Sequence, residues 1–222
     1  MNYFKFSISE NELLAMPSGA LWWPDQSILC VSDLHFGKSN RLARKGQSWM
    51  PPYENQDTLL RLEQDLDATN TKKIICLGDS FDDNEASRSL PPDEALWITK
   101  MQRRREWIWI SGNHDPSPEN LGGTFLESLE IEKLNFQHIA SSKERFEISG
   151  HYHPKIRVRV NHQSFTKRCF LVDDKRVIMP AYGTYTGGLY CNRDPLRSIM
   201  DQKAIALMTG KEIYPIPMSK AN

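Results

Sequence analysis

Residues 28–35 read Ile-Leu-Cys-Val-Ser-Asp-Leu-His, an apolar run that changes abruptly into polar residues. The same change recurs in residues 74–82, 107–115 and 146–153, where an Asp, Asn or His follows within three residues of the apolar stretch. Short apolar runs of this kind are typical of buried strands. Because ligands bind at the carboxyl ends of the strands in an open α/β sheet, the four polar motifs are predicted to meet in one crevice.

Three further segments are predicted to be helices. Residues 53–69 carry leucines spaced by three and four positions, as on one helix face. Residues 91–105 begin with Pro-Pro-Asp, which is favourable in a first helical turn. Residues 124–129 are predicted to form a short helix. The segments before residue 31 and after residue 148 are predicted to be mostly strands, so we expect an α/β protein.

Length and composition bound the class of protein. The chain has 222 residues, which suffice for a single domain over residues 1–222 but not for two comfortable ones. Hydrophobic residues make up 39% and charged residues 25%, which excludes a largely disordered chain. The formal net charge is +0, so any attraction to nucleic acid has to be local. Because we find no run of about 18 apolar residues and no signal-peptide pattern, we expect a cytoplasmic protein without a membrane span.

The polar motifs are rich in residues that bind metal ions. Five of the six histidines lie in or near them, namely His35, His114, His138, His151 and His153. Carboxylate oxygens and neutral imidazole nitrogens suit divalent manganese, iron or zinc. In Asp33-x-His35 and His151-x-His153, alternation along an extended segment would place both side chains on one face. A single histidine on a strand is more often structural, but that interpretation does not account for four such motifs in this order.

The motifs resemble those of the calcineurin-like metallophosphoesterase superfamily. They are Asp33-x-His35, Gly78-Asp79-x-x-Asp82, Gly112-Asn113-His114-Asp115 and Gly150-His151-x-His153. Residues 33–38, 77–81, 149–154 and 179–188 further resemble the bacterial ligase-associated DNA damage response endonuclease family. The superfamily resemblance implies a four-layer αββα sandwich. The narrower resemblance implies DNA as the substrate, an ATP-dependent DNA ligase and a helicase as functional partners, and a homodimer.

The resemblance also implies a centre of two divalent metal ions, with Mn²⁺ foremost and Fe²⁺ or Zn²⁺ as alternatives. One ion is expected on Asp33, His35 and His153. The other is expected on Asn113, His138 and His151, with Asp79 bridging the two. The motif that contains His138 is a single histidine, and its rival, His162, comes too late in the chain.

The expected reaction follows from the chemistry of paired metal ions. Two close ions lower the pKa of a water between them and hold the phosphoryl oxygens. We therefore expect a hydroxide that bridges the ions to attack phosphorus in line with the leaving group. His114 is expected to donate a proton to the leaving oxygen or to stabilise its charge. The resemblance implies that Asp82 orients His114, so both residues are catalytic candidates.

Two departures from the protein phosphatases of the superfamily bear on the substrate. Those enzymes carry Arg after the second Asp, whereas this chain has Asp83, and an acidic side chain there disfavours a dianionic monoester. Asp115 stands where those enzymes usually have Glu. Both departures favour a phosphodiester, so we expect a phosphodiesterase, and specifically a DNA endonuclease linked to DNA repair. A phosphomonoesterase acting on a nucleotide or small molecule, and a metal-binding repair scaffold without turnover, are the alternatives.

Two basic clusters are candidates for binding a phosphate backbone. Arg41, Arg44 and Lys45 follow the first motif closely and are the preferred candidates. The second cluster follows the last motif and consists of Arg157, Arg159, Lys167 and Arg168. A solvated charged face is the alternative for both clusters. The glycines within residues 183–188 match no phosphate-binding fingerprint and are interpreted as a loop that lines the site.

Overall fold

Two β-sheets packed face to face form the centre of the protein. The structure, a computed structural model, describes residues 2–47, 50–114, 121–141 and 145–221, without the side chain of Val160. The first sheet contains, in chain order, β1 (Phe4–Ile8), β2 (Asn11–Ala15), β3 (Leu21–Trp23), β4 (Ile28–Val31), β5 (Lys73–Leu77), β6 (Glu106–Ile110) and β7 (Thr124–Leu126). Neighbouring strands are antiparallel from β1 to β4 and parallel from β4 to β7.

The second sheet is built from the later part of the chain. Its strands are β8 (Ser128–Ile131), β9 (Leu134–Gln137), β10 (Phe146–Ser149), β11 (Lys155–Val160), β12 (Gln163–Val172), β13 (Arg176–Ile178), β14 (Ile205–Met208) and β15 (Tyr214–Pro217). They are arranged in the order β15, β14, β12, β13, β10, β9 and β8, and β11 pairs with β12. Because β9 and β10 are parallel neighbours, the residues that follow them emerge at one edge.

Helices connect the parallel strands of the first sheet. The described α-helices are α1 (Lys38–Arg44), α2 (Glu54–Thr69), α3 (Asn84–Arg88), α4 (Pro92–Gln102) and α5 (Leu196–Ile199), and short 3₁₀ turns cover Pro24–Gln26 and Met218–Lys220. Helix α2 lies in the crossover from β4 to β5, and α4 lies in the crossover from β5 to β6. Such crossovers keep parallel neighbours aligned, so the ends of β4, β5 and β6 all point to the same edge.

Apolar clusters hold four layers together. Between the sheets, Ile75 of the first sheet shares a cluster with Ile148 of the second. The three leucines predicted on one face of α2, Leu59, Leu62 and Leu66, are fully buried against the outer face of the first sheet. Leu196 of α5 belongs to the cluster on the outer face of the second sheet. The predicted α/β sandwich of αββα type is therefore confirmed, although α5 adds only 4 residues to the last layer.

The predicted helix over residues 124–129 is wrong. This segment contains β7 and the start of β8 instead. Thr124–Leu126 pairs in parallel with residues 108–110 of β6 and completes the edge of the first sheet, so strand pairing outweighs the local pattern. The short helices α1 and α3 were not predicted. No helix in the described ranges is long and apolar enough to cross a membrane.

Candidate metal centre

The strand ends of both sheets bring the predicted metal ligands to one edge of the sandwich. From the first sheet, Asp33 follows β4, Asp79 follows β5 and Asn113 follows β6. From the second sheet, His138 directly follows β9 and His151 follows β10. The four motifs therefore meet at one edge as predicted, with side chains from both sheets.

The sequence pattern predicted extended ligand segments, but these segments turn sharply instead. Asp33 and His35 have φ angles of 53° and 49°, and His151 and His153 have φ angles of 70° and 46°. Asp79 also lies in this left-handed region, with a φ of 45°. Residues other than glycine rarely adopt it, and they are held there only by the surrounding structure. Clusters of such residues are characteristic of functional sites.

A first ligand group consists of Asp33, His35 and His153. Each offers one ligand atom, and these atoms lie within 4.8 Å of one another. Asp33 Oδ1 lies 3.0 Å from His153 Nε2, which lies 3.3 Å from His35 Nε2. On the other side of its ring, His35 Nδ1 lies 2.8 Å from Asp82 Oδ1. A proton on Nδ1 suits this carboxylate, and Nε2 then directs its lone pair into the group.

A second ligand group consists of Asp79, His138 and His151, with Asn113 at its border. His138 Nε2 lies 3.3 Å from Asp79 Oδ2 and 3.2 Å from His151 Nδ1. It also lies 3.0 Å from Asn113 Oδ1. His138 Nδ1 lies 3.1 Å from the carbonyl oxygen of Leu77 and donates a hydrogen bond to it. Because Nε2 then faces several acceptor atoms, only a cation among them makes the arrangement favourable, either a metal ion or a proton on His138.

Burial and mutual contacts set the protonation states of the ligands. Burial lowers the pKa of His35, and burial together with the nearby His138 lowers the pKa of His151. Burial also disfavours a charged His138, but its contact with Asp79 and the charge of Asp33 outweigh burial and raise the pKa of His138. The pKa values of Asp33 and Asp79 are lowered, because their histidine contacts outweigh burial. The ionised carboxylates of Asp33 and Asp79 beside the neutral imidazoles of His35 and His151 are a donor set that fits divalent metal ions.

His114 lies beside the first ligand group, but its contact with residue 82 differs from the expected one. The main-chain carbonyl of Asp82, rather than its carboxylate, lies 2.9 Å from His114 Nδ1. The buried carboxylate contacts the ring of His35 and the guanidinium of Arg41 instead. The guanidinium of Arg41 carries a positive charge, so it attracts the carboxylate strongly. Asp115, the residue that ends the Gly-Asn-His-Asp motif, lies outside the described residues.

The cations of α1 that were predicted to bind substrate lie beside the centre, but two of them are already paired. Arg41 contacts Asp82, and Arg44 Nη2 lies 3.0 and 2.8 Å from the two carboxylate oxygens of Asp83. Lys45 is exposed just beyond the end of the helix. Because Arg44 offsets the charge of Asp83, Asp83 repels a dianionic monoester less than an unpaired carboxylate would.

Ser32 supports the centre and was missed in the sequence. Its hydroxyl donates a 2.5 Å hydrogen bond to Asp33 Oδ2, and the main-chain N–H of His151 donates to the same oxygen at 3.0 Å. A Cβ on Gly150 would lie only 1.8 Å from Ser32 Oγ, so glycine at this position allows the two segments to meet. The sequence marks Ser32 only by its place before Asp33.

The glycine-rich loop after β13 also supports the centre, through main-chain contacts. Gly183 N donates to the carbonyl oxygen of Asp33 at 3.1 Å. A Cβ on Gly183 would lie 2.0 Å from the carbonyl oxygen of Leu34, and one on Gly188 would lie 2.0 Å from that of His153. In the sequence, the glycines were the signal that this loop packs closely, since they allow it to contact the backbone of the first ligand group.

These features define a two-sheet α/β sandwich whose edge carries two adjoining carboxylate–histidine groups that could hold metal ions. The family model described as calcineurin-like phosphoesterase matches residues 26–203. The chain therefore belongs to the calcineurin-like phosphoesterase family and is a metal-dependent phosphoesterase, a hydrolase.

A solved structure shows the same fold. The chain is similar to the crystal structure of Pseudomonas putida nuclease MPE, with a TM-score of 0.75 and 23% sequence identity over 97% of this chain and 100% of that chain. YfcE, a phosphoesterase from E. coli, matches with a TM-score of 0.41 and 12% identity over 88% of this chain and 94% of that chain. No curated protein matches the sequence.

Proposed function

We propose that this chain is a phosphodiesterase that uses two divalent metal ions to cleave DNA. The observation that carries the proposal is the juxtaposition of two separate ligand groups at one edge. Asp33 Oδ1 of the first group lies 4.0 Å from His138 Nδ1 of the second. Two metal ions held close together are the usual solution for displacement at phosphorus, because both the attacking and the leaving oxygen need a positive partner.

The geometry of the two groups supports the ligand assignment that the resemblance implies. Asp33, His35 and His153 would hold one ion, and His138, His151 and Asn113 would hold the other. Asp79 is the proposed bridge. One of its oxygens faces His138, and the other accepts a hydrogen bond from His114 N at 2.9 Å. The hydrogen bond from His114 N fixes the orientation of the Asp79 carboxylate.

The chain's own residues orient and protonate the substrate. When bound, the metal ions would supply the charge that activates water and polarises the phosphoryl oxygens. His114 Nδ1 donates to the carbonyl oxygen of Asp82, so Nε2 is the atom left to pass a proton to the leaving oxygen. Asp82 acts as a positioning residue, through its carboxylate for His35 and through its carbonyl for His114.

A phosphodiester is the preferred substrate, and DNA is the preferred diester. The resemblance of several motifs to DNA damage response endonucleases supports DNA, and the similar Pseudomonas putida protein is described as a nuclease. A phosphomonoester is the second candidate. One observation favours it: the ion pair of Asp83 with Arg44 offsets the charge that would repel a dianion.

We propose, from the same resemblance, Mn²⁺ as the native ion, a role in DNA repair beside an ATP-dependent ligase and a helicase, and a homodimer. A cytoplasmic location is proposed from the sequence pattern. We also propose that residues 1–222 form a single domain, which is supported by a core between the sheets that includes residues as distant as Ile8 and Leu207.

The test compares two esters. Metal-stripped protein is supplied with Mn²⁺ and offered a bis-aryl phosphate and a mono-aryl phosphate. We expect faster turnover of the diester, dependence on Mn²⁺, and loss of turnover in both Asp79→Asn and His114→Ala. Faster turnover of the monoester would favour the phosphatase instead. No turnover of either ester by metal-loaded protein would favour the non-catalytic scaffold.

A further inference from the structure

The hairpin formed by β11 and β12 carries a concentration of positive charge. The sequence has no acidic residue between Glu147 and Asp173. Within this stretch lie five cationic residues: Lys155, Arg157, Arg159, Lys167 and Arg168. Since the whole chain has a formal net charge of +0, this hairpin is a local excess rather than part of a generally basic surface.

The strand register places most of these cations on one face. Lys155, Arg157 and Arg159 alternate along β11, so their side chains leave the same side of the hairpin. Lys155 is paired across the strands with Arg168, which adds a fourth cation to that side. Successive cations on β11 are about 7 Å apart along the strand. Like charges in such positions repel each other, and an anion on this face relieves that repulsion.

The cations on this face lack acidic partners. Among the described residues, no carboxylate lies within ion-pairing distance of Lys155, Arg157 or Arg159. Lys155 Nζ and the Arg157 guanidinium instead lie 4.5 and 4.6 Å from the centre of the Tyr190 ring, and Arg157 donates a hydrogen bond to the Tyr190 hydroxyl. A hydrogen bond from Thr166 and the neighbouring positive charges lower the pKa of Tyr190. Tyr190 therefore positions these cations without neutralising them.

The hairpin differs in this respect from the basic cluster on α1. Arg41 and Arg44 of that cluster are paired with Asp82 and Asp83. An ion pair has to be broken, or shared, before such a cation binds a phosphate. Arg157 and Arg159 are exposed and need no such exchange.

The chain connects the basic face directly to the metal centre. Strand β11 begins only two residues after the metal-ligand candidate His153. Arg168 donates hydrogen bonds to the carbonyl oxygens of Ala181 and Thr184, at 3.0 and 2.8 Å. These residues belong to the glycine-rich loop that presses against Asp33. A polymer with one phosphate at the metal centre can thus extend along the hairpin.

We propose that the face of the β11–β12 hairpin carrying Lys155, Arg157 and Arg159 binds the phosphate backbone of a single nucleic-acid strand that continues outward from the phosphate being cleaved. The inference rests on the proposed phosphodiesterase function and deepens it. Lysine and arginine contacts to phosphates position a strand without reading its sequence. The hairpin therefore favours polymeric substrates over small diesters, independently of base sequence.

The experiment removes two of these charges and measures how strongly a polymer is held. The variant is Arg157→Gln/Arg159→Gln, and the matched control is Lys72→Gln/Arg104→Gln, which removes two exposed cations beside the amino ends of β5 and β6. Mn²⁺-loaded protein in excess cleaves a labelled single-stranded DNA oligonucleotide in single turnovers at several KCl concentrations. The half-saturating protein concentration is measured, and turnover of a bis-aryl phosphate is measured in parallel.

The expected result is a selective loss of polymer binding. For the hairpin variant, the half-saturating protein concentration rises about tenfold. A plot of the logarithm of this concentration against the logarithm of the salt concentration has a slope that is lower by about 1.4, because each of the two lost contacts to a single strand contributes about 0.7. The ratio of oligonucleotide to bis-aryl phosphate turnover falls accordingly, while the control matches the unmodified protein. A hairpin variant that behaves like the control overturns the inference.

The failures of the two proposals are distinguishable. If the unmodified protein hydrolyses neither ester, the phosphodiesterase function fails, and the hairpin proposal falls with it. If it hydrolyses the bis-aryl phosphate but does not cleave the oligonucleotide, the phosphodiesterase stands and the hairpin proposal is overturned.

Discussion

The first and second ligand groups use the same residue types but are held in different ways. In the first group a side chain orients a histidine ring, since the carboxylate of Asp82 contacts His35. In the second group the main chain orients a histidine ring, since the carbonyl oxygen of Leu77 accepts a hydrogen bond from His138. Burial lowers the pKa of His35, whereas contact with Asp79 outweighs burial and raises the pKa of His138.

This difference affects how each group binds a metal ion. The first group presents a neutral His35 beside the ionised carboxylate of Asp33, so an ion can enter without displacing a proton from His35. In the second group, the proton on His138 has to leave before Nε2 can bind an ion. The two groups thus differ at one histidine each, because His35 is free of a competing proton and His138 is not.

The largest effect is expected at Asp79, the proposed bridge between the groups. Asp79→Asn keeps the shape of the side chain and removes the charge that an ion requires. Turnover of a bis-aryl phosphate should fall by more than the roughly 100-fold that changes outside the ligand shell reach. Asp67→Asn, a change at an exposed carboxylate of α2, is the control. If Asp79→Asn retains more than about a tenth of the turnover, Asp79 is not a ligand that both ions share.

The next effect should fall on the first group alone. Asp82→Asn removes the carboxylate that contacts His35, and metal affinity at the first group should drop about 10- to 100-fold. The neighbouring Asp83→Asn is a matched control, because Asp83 caps α3 and pairs with Arg44 instead of a ligand. Bound Mn²⁺ per chain is measured by titration for both variants. Equal losses in the two variants would show that Asp82 has no special role.

A pH series should separate the groups without a mutation. As pH falls through the raised pKa of His138, protonation excludes the ion from the second group, whereas His35 with its lowered pKa stays neutral to a lower pH. Apparent affinity at the second group should therefore fall about tenfold per pH unit, since one proton competes with each ion. Counting bound Mn²⁺ after equilibration at each pH tests this. Loss of both ions over the same pH range would show that protons compete equally for the two groups.

The smallest effect is expected in stability. Gly78 and Gly46 have φ angles of 71° and 64°, but a Cβ on Gly78 would lie 2.2 Å from His138 Nδ1, whereas nothing lies within 4 Å of one on Gly46. Gly46→Ala should therefore cost about 1 kcal/mol of unfolding free energy through backbone strain alone. Gly78→Ala should cost about 2 kcal/mol through strain and overpacking, and should also weaken the second group. Denaturant unfolding of both variants measures the difference, and equal costs would refute the close contact.

Much of the fold and the ligand set was accessible from the sequence, because the relevant signals are local. Each motif follows a buried apolar run, and parallel strands necessarily deliver their ends to one edge. The leucines of α2 show the helical period on one face, and all are buried. The roles of the ligands remain predictions, but their convergence in space follows from these simple rules.

The remaining features depend on contacts between distant segments. Residues 124–126 form a strand because β6 offers a pairing edge. The carboxylate of Asp82 contacts His35 and Arg41, a choice that the motif spacing does not encode. The positive φ angles of the ligand residues arise from the packing of both sheets and the glycine-rich loop, whereas alternation along a strand is a purely local rule.

The central claim is that both ligand groups together form one phosphodiesterase centre. Its most direct test is a titration of metal-stripped protein with Mn²⁺, in which bound metal and bis-aryl phosphate turnover are recorded on the same samples. The account predicts negligible turnover without metal and full turnover only as the second ion binds. Full turnover with one ion per chain, or turnover that persists after metal is removed, would contradict it.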